Sequence, residues 1–301
     1  MFEIENQNRQ PQQNDKQLVI DYYDQEAAQY QDYYTKPLLD QEFYPANAIR
    51  LDMIVDRLKE LGKKSILDVG CGSGQPMIRL LNESFDAVGF DFSPKMTEAA
   101  KKALARAGFE SSRAVQGDIE VDSLVPPGPF DSIVATGVFP HNFNDQAAYA
   151  NIKKRLKPDG IAFIEYRNAL MSLFSINKYS SSFFWNDLLN GENLPPELKK
   201  DVLSFLADKF STSVESIGGA REIEYSQILA KFHNPLTLAD ELIGQGLQVV
   251  DIHYYHIHAG PPSLEKKHKD AFWTTSLAQE RKRDWRNMFR CSAFVAEITH
   301  A

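Results

Sequence analysis

Three aspartates, Asp68, Asp91 and Asp118, stand at the carboxyl ends of short strand-like runs, and the first opens onto the loop Gly70-Cys71-Gly72-Ser73-Gly74. Glycine tolerates positive φ and lets a ligand approach the backbone closely. The run Ile66-Leu67-Asp68-Val69 before the loop reads as a buried strand, and Gln75–Leu81 after it reads as a helix with Pro76 in its first turn. A strand, glycine loop and helix in that order expose backbone N–H groups at a helix N-terminus, where a carboxylate or phosphate can sit. Gln75 stands where a dinucleotide fingerprint needs its third glycine, and the Gly-Lys-Ser/Thr of a phosphate-cradling loop is absent. A carboxylate at position 68 repels a pyrophosphate but accepts hydrogen bonds from an ammonium group. Asp91, ending the second strand, suits ribose hydroxyls, because an ionised carboxylate makes short, strong hydrogen bonds to such donors. The expected ligand therefore joins a nucleoside to an amino-acid end. His141 follows the fourth strand, where ligands of open α/β sheets bind, and a neutral imidazole there can serve as a general base. Glu165, His233 and His256 stand behind it as alternative bases.

Composition narrows the field. The chain has 301 residues, a net charge of −8 and two cysteines, Cys71 and Cys291. The acidic balance argues against a nucleic-acid partner. Two cysteines make neither a disulfide framework nor a metal-ligand spacing, and Cys71 reads as a small packing residue of the loop. No iron–sulfur Cys triplet and no apolar run of membrane-spanning length is present. The Asn- and Gln-rich start lacks the apolar core of a signal peptide. A cytoplasmic enzyme of small molecules, without metal and with no membrane contact, is the expectation, and a homodimer stays open.

In chain order, residues 1–17 are polar and read as a disordered tail. A tyrosine-rich helix follows from Leu18, with Tyr22, Tyr23 and Tyr30. A second helix runs from Ala46 to Leu61, with Leu51, Ile54, Val55, Leu58 and Leu61 at helical period. Strands are expected at 65–69, 86–91, 112–116, 130–135, 161–166, 247–252 and 292–298. Between them come helices after Pro94 and Asn144 and one after Thr237 that turns Leu238, Leu242 and Ile243 inward.

The stretch Leu67–Gly74 resembles motif I of the class I S-adenosylmethionine-dependent methyltransferases. The segments Asp91-Phe92-Ser93-Pro94-Lys95-Met96, Gly117-Asp118-Ile119 and Leu156-Lys157-Pro158-Asp159-Gly160 are similar to further segments of that family. The resemblance covers about 46–168 and 236–298. It implies an α/β fold: a Rossmann-like seven-stranded sheet, mostly parallel with an antiparallel last strand, flanked by helices. It also implies S-adenosyl-L-methionine as cofactor. Asp68, Gly70, Cys71, Gly72 and Gly74 would form its loop. Phe92 and Met96 would flank the adenosine, Asp118 and Ile119 would meet the adenine, and Thr136 and Gly137 would lie at the strand end. Tyr22 would belong to a helix folded over the cofactor.

Residues 18–168 and 236–301 then form the core, and 169–235, which the family pattern does not require, read as an inserted helical cap that shapes the substrate pocket. A second insertion, 265–290, holds eight Lys and Arg against four Asp and Glu. In the tract Asp251–His258, His256 and His258 share one strand face and His253 the other. No acidic partner is expected near them, so substrate contact is favoured over a metal. The expected reaction moves a methyl group to an O or N atom of a small metabolite. A protein or peptide methyltransferase and a non-catalytic cofactor-binding scaffold are the alternatives. The Asn/Asp-Pro-Pro-Tyr/Phe motif of amino-methylating DNA and glutamine enzymes is absent.

Overall fold

The computed structural model describes residues 15–27, 44–210 and 228–301. Seven strands form one sheet: β1 (Ser65–Val69), β2 (Asp86–Asp91), β3 (Ala114–Gln116), β4 (Phe130–Ala135), β5 (Leu156–Arg167), β6 (Leu247–Ile257) and β7 (Cys291–His300). Their order is β3-β2-β1-β4-β5-β7-β6, and β7 runs antiparallel to both neighbours. The order reverses between β1 and β4, whose carboxyl ends open a crevice, the usual ligand position in such sheets.

The central strands are buried on both faces, which is why they read as continuous apolar runs. Alternate residues serve opposite layers. Ile66, Val134, Phe163 and Val295 pack against Ile54, Val55 and Leu58 of α2 (Ala46–Glu60). Leu67, Ile133, Ile164 and Phe294 pack on the other face. Their partners there are Tyr149 and Ile152 of α5 (Asp145–Arg155) and Leu238 and Leu242 of α9 (Leu238–Ile243). Ile243, expected inward, is exposed.

Two further helices frame the crevice. α3 (Gln75–Asn82) starts at Gly74, and α4 (Pro94–Arg106) is capped by Ser93, whose Oγ accepts from the Met96 N–H at 3.0 Å. An N-terminal helix, α1 (Asp15–Glu26), lies across the same side. It begins three residues before the expected start, so residues 15–17 are helical and not tail. Residues 1–14 of the expected tail, and Tyr30, lie outside the described residues.

Between β5 and α9 come α6 (Met171–Ser175), α7 (Lys178–Phe183) and α8 (Pro196–Lys209). Phe183 is buried with Ala169 and Leu170, and beside it pack Met288 and Phe289 of the second insertion. That insertion carries α10 (Lys269–Leu277) and α11 (Asn287–Arg290). Residues 211–227 of the expected cap lie outside the described residues. Among the described residues, no helix is long and apolar enough to cross a membrane.

The histidine tract departs from expectation. β6 runs on to Ile257, so His253 and His256 are strand residues. His253 Nε2 lies 2.6 Å from Glu297 Oε1 on β7 and 3.8 Å from Asp251. Acidic partners therefore exist: Asp251 stands two residues before His253 on β6 itself, and Glu297 is brought by pairing with β7, which local sequence does not display. Asp251, His253 and Glu297 bring one potential ligand atom each within 4.8 Å of one another. Both carboxylates are also engaged by arginines, Glu297 by Arg57 at 2.6 Å and Asp251 by Arg283 at 2.5 Å. On the opposite face the His256 and His258 rings stack at 4.7 Å.

Candidate active site

The crevice at the β1/β4 switch holds a cavity lined by Gly70, Asp91, Asp118 and Gly137 among others. Its floor is the glycine loop. Gly70, Gly72 and Gly74 all have positive φ, and a Cβ on Gly70 would sit 2.5 Å from Val138 Cγ2. Only glycine fits that position without moving the wall.

Asp91 anchors the loop. Its Oδ2 accepts from the Gly72 N–H and its Oδ1 from the Ser93 N–H, both at 2.9 Å. Burial raises its pKa to about 6, although these two hydrogen bonds oppose the rise. Each oxygen keeps a second lone pair for an incoming hydroxyl. Beside it, Asp118 Oδ1 accepts from the Glu120 N–H at 3.0 Å, and Oδ2 pairs with Lys16 of α1 at 2.5 Å. Gly117 is packed so closely that a Cβ would meet Leu124 O at 2.3 Å.

Asp68 is fully buried beneath the loop, and neither of its carboxylate oxygens has a hydrogen-bond partner among the described residues. Burial, reinforced by Asp91 and opposed by Arg50, pushes its pKa up to about 8. Buried polar groups are otherwise nearly always satisfied. This pair of orphaned oxygens is what an ammonium-bearing ligand would complete.

Past β4, Thr136 and Gly137 form the opposite wall, and the Gly137 N–H donates to Glu165 Oε2 at 2.6 Å. The chain then turns through Phe139–His141. His141 Nδ1 lies 2.6 Å from the carbonyl of Leu229. A carbonyl only accepts, so the proton is on Nδ1 and the Nε2 lone pair is the basic site. Burial, with the Arg167 charge in support, lowers the His141 pKa to about 3. The ring is therefore neutral at pH 7 and holds an extra proton poorly. Tyr23 of α1 meets it edge-on, with centroids 5.6 Å apart.

A methyltransferase-domain family model matches residues 61–209. The glycine/sarcosine N-methyltransferase of Parasynechococcus marenigrum (strain WH8102) is 36% identical over 121 residues, 39% of this chain and 43% of that protein. The ubiquinone biosynthesis O-methyltransferase of Rickettsia prowazekii (strain Madrid E) is 29% identical over 128 residues, 40% of this chain and 49% of that protein. The chain thus spans less than half the length of these two curated relatives. Among solved structures, magnesium protoporphyrin IX methyltransferase from Synechocystis PCC 6803, with bound SAH, superposes with a TM-score of 0.55 at 15% identity. That superposition covers 95% of this chain and 100% of the other, and it shows the shared fold. Over residues 61–209 the chain is therefore similar to methyltransferase domains.

Set against what the methyltransferase resemblance implied, nine of the named cofactor residues line the cavity: Gly70, Gly72, Asp91, Phe92, Met96, Asp118, Ile119, Thr136 and Gly137. Asp68, Cys71 and Gly74 do not line it. Cys71 is buried against Met77 and Ala100, and Gly74 begins α3. Tyr22 also lies off the cavity, packed with Val19, Ile228 and Leu229, while its neighbour Tyr23 lines it. Helical spacing alone left open which tyrosine faces inward.

Of the four candidate bases, His141 alone lines the cavity. Glu165 is buried and held by three donors: the Gly137 N–H, Arg50 at 2.5 Å and the Tyr255 hydroxyl at 2.5 Å. A carboxylate so occupied is a clamp and not a proton acceptor. His233 is buried 3.7 Å from Asp145, its ring against Tyr166. His256 accompanies Ser292 at 2.6 Å on β6. Lys16 and Glu120 line the cavity although the sequence analysis did not name them, because tertiary packing brings them there.

Proposed function

We propose that this methyltransferase moves a methyl group from S-adenosyl-L-methionine to an O or N atom of a small-molecule acceptor. The observation that carries the reading is Asp68, a buried carboxylate with two unpartnered oxygens, beneath a glycine loop whose Gly70 and Gly72 line the cavity together with Asp91 and Asp118. Asp68 would hold the ligand's ammonium, Asp91 its ribose hydroxyls and Asp118 its adenine amino group. Phe92, Met96 and Ile119 supply apolar walls for the purine. When bound, the cofactor supplies an electrophilic methyl group on sulfur. The protein's part is to exclude water and aim the acceptor's lone pair in line. Orientation of that kind can remove about 7–11 kcal/mol of the barrier. His141, neutral and of fixed tautomer, accepts a hydrogen bond from the acceptor at Nε2 and orients it. An acceptor that must lose a proton delivers it to solvent, because His141 does not retain one at pH 7.

Residues 169–235 are read as a cap on the acceptor side. Support comes from its end nearest the site. There Leu229 holds His141, and the Lys231 N–H donates to Pro140 O at 2.8 Å. The acidic chain favours a small molecule over a nucleic acid. The N- and O-methylating relatives support both acceptor atoms.

The test is an acceptor screen with methyl-labelled S-adenosylmethionine, read as S-adenosylhomocysteine formed. Acceptor-dependent product that Asp91→Ala abolishes is expected. Folded protein that forms no product with any amine, carboxylate-bearing amine or phenol, and that does not bind S-adenosylhomocysteine, would refute the reading.

A further inference from the structure

Glu120 stands two residues past Asp118, and both line the cavity. Its side chain is 12% exposed, and its carboxylate is turned to protein groups on two sides. Oε1 accepts from the Phe143 N–H at 2.6 Å and from the Asn144 N–H at 3.2 Å. Oε2 lies 3.3 Å from Lys16 Nζ, which also meets Asp118 Oδ2 at 2.5 Å. The Glu120 N–H donates to Asp118 Oδ1 at 3.0 Å. One residue thus holds the Asp118 carboxylate, the first turn of α1 and the chain that leads into α5.

Two of these contacts lead on to His141. Phe143 and Asn144 follow it closely in the same loop, and His141, Asn142 and Phe143 all line the cavity. Lys16 and Tyr23 stand seven residues apart on α1 and so share one face of the helix. Tyr23 meets the His141 ring edge-on, with centroids 5.6 Å apart.

We propose that Glu120 is a positioning residue of the methyl-transfer site, joining the purine end of the crevice at Asp118 to the wall that bears His141. This rests on the reading of the crevice as a cofactor site. Glu120 touches neither cofactor nor acceptor in this account. It fixes the spacing between the two ends, so an acceptor at His141 Nε2 is aimed by a wall whose place is set beside the adenine.

The chemistry explains why a glutamate stands here. Two backbone N–H groups just ahead of α5 lie at the positive end of a helix, which favours an anion, and a charged acceptor makes the stronger hydrogen bonds. Asp118 is a second carboxylate nearby, and Lys16 between them offsets their repulsion. Without Glu120, Lys16 turns wholly to Asp118 and competes with the adenine amino group for its oxygen. Asn151 of α5 ties the same loop from behind, its Nδ2 donating to the Ile119 carbonyl at 2.7 Å.

The experiment pairs ¹H–¹⁵N spectra of the ligand-free full chain with calorimetric titration of S-adenosylhomocysteine, for wild type, Glu120→Ala and Glu120→Gln. In Glu120→Ala the Phe143 and Asn144 amide protons should move upfield. The His141 Nδ1 proton, held by the Leu229 carbonyl, should exchange faster with solvent. Affinity should fall by roughly tenfold, the usual effect of losing a hydrogen bond to a charged group. Glu120→Gln keeps an acceptor for the amides but no charge for Lys16. It should return the His141 proton to wild-type exchange and recover only part of the affinity. If Glu120→Ala does not fold, Glu120→Asp, one methylene too short to hold both amides, takes its place with the same expectations. Wild-type exchange at His141 or wild-type affinity in Glu120→Ala would overturn the role, as would a Gln variant whose His141 proton exchanges as fast as in Ala. The spectra need no ligand, so wild-type protein that binds no S-adenosylhomocysteine would instead overturn the proposed function.

Discussion

A buried carboxyl with a pKa near 8 makes ligand binding a proton-linked event. Asp68 is neutral at pH 7 in the free protein and must ionise to hold an ammonium group. Its pKa is raised, so the ionised form is scarce at low pH and gained as pH rises toward 8. Affinity for S-adenosylhomocysteine should therefore tighten by roughly tenfold per pH unit below that titration, with a proton released on binding; equal heats in buffers of different ionisation enthalpy would count against this. His141 behaves in the opposite sense. With its pKa near 3, no histidine step should appear in turnover between pH 5 and 8. His141→Gln should lower turnover by roughly 10²-fold or less and leave ligand affinity within threefold. A large affinity loss would mean that His141 contacts the cofactor. At this scale the sequence was legible where spacing carries the chemistry, as with Asp68, Asp91 and Asp118. It was silent on Lys16, which reaches the crevice from a helix whose docking local pattern does not encode.

At the scale of elements, the site is a set of strand ends held apart by glycines. Gly117 follows β3 with Leu124 O in the space of a Cβ, a backbone atom that cannot swing aside. Gly117→Ala should cost about 1–3 kcal/mol, the usual penalty for overpacking, and weaken S-adenosylhomocysteine binding by displacing Asp118. Chemical denaturation and titration of one sample check both. An Ala variant of wild-type stability and affinity would show that the β3 loop is free to move. Element types were readable from apolar runs, and the helices expected after Pro94 and Asn144 are present, capped by Ser93 and Asn144. Strand lengths were less so. β6 continues through His253 and His256 because β7 pairs with it, and hydrogen bonding across a sheet leaves no mark on the strand's own sequence.

Across the whole molecule, an ionic seam ties α2 to the sheet edge. Burial alone would raise the pKa of Glu297, but hydrogen bonds from His253 and Arg57 outweigh it and bring the value to about 2. A depressed carboxylate stabilises the fold above its ordinary pKa, and that contribution fades as pH falls toward 2. The melting temperature of wild-type protein should drop more steeply than that of Glu297→Gln between pH 4.5 and 2. Parallel curves would assign acid sensitivity elsewhere. The seven-stranded sheet with an antiparallel last strand was implied by the family resemblance, while the strand order came only with the structure. The expected boundary at residue 169 is not marked by the methyltransferase-domain match, which continues to residue 209. Binding of the methyl donor in the crevice is tested most directly by calorimetry of S-adenosylhomocysteine with wild-type and Asp91→Ala protein at pH 8. Micromolar binding that falls roughly 10- to 100-fold in Asp91→Ala, as expected for losing hydrogen bonds to a charged acceptor, is the predicted result. Folded wild-type protein that gives no heat of binding, or a variant that binds equally well, would contradict it.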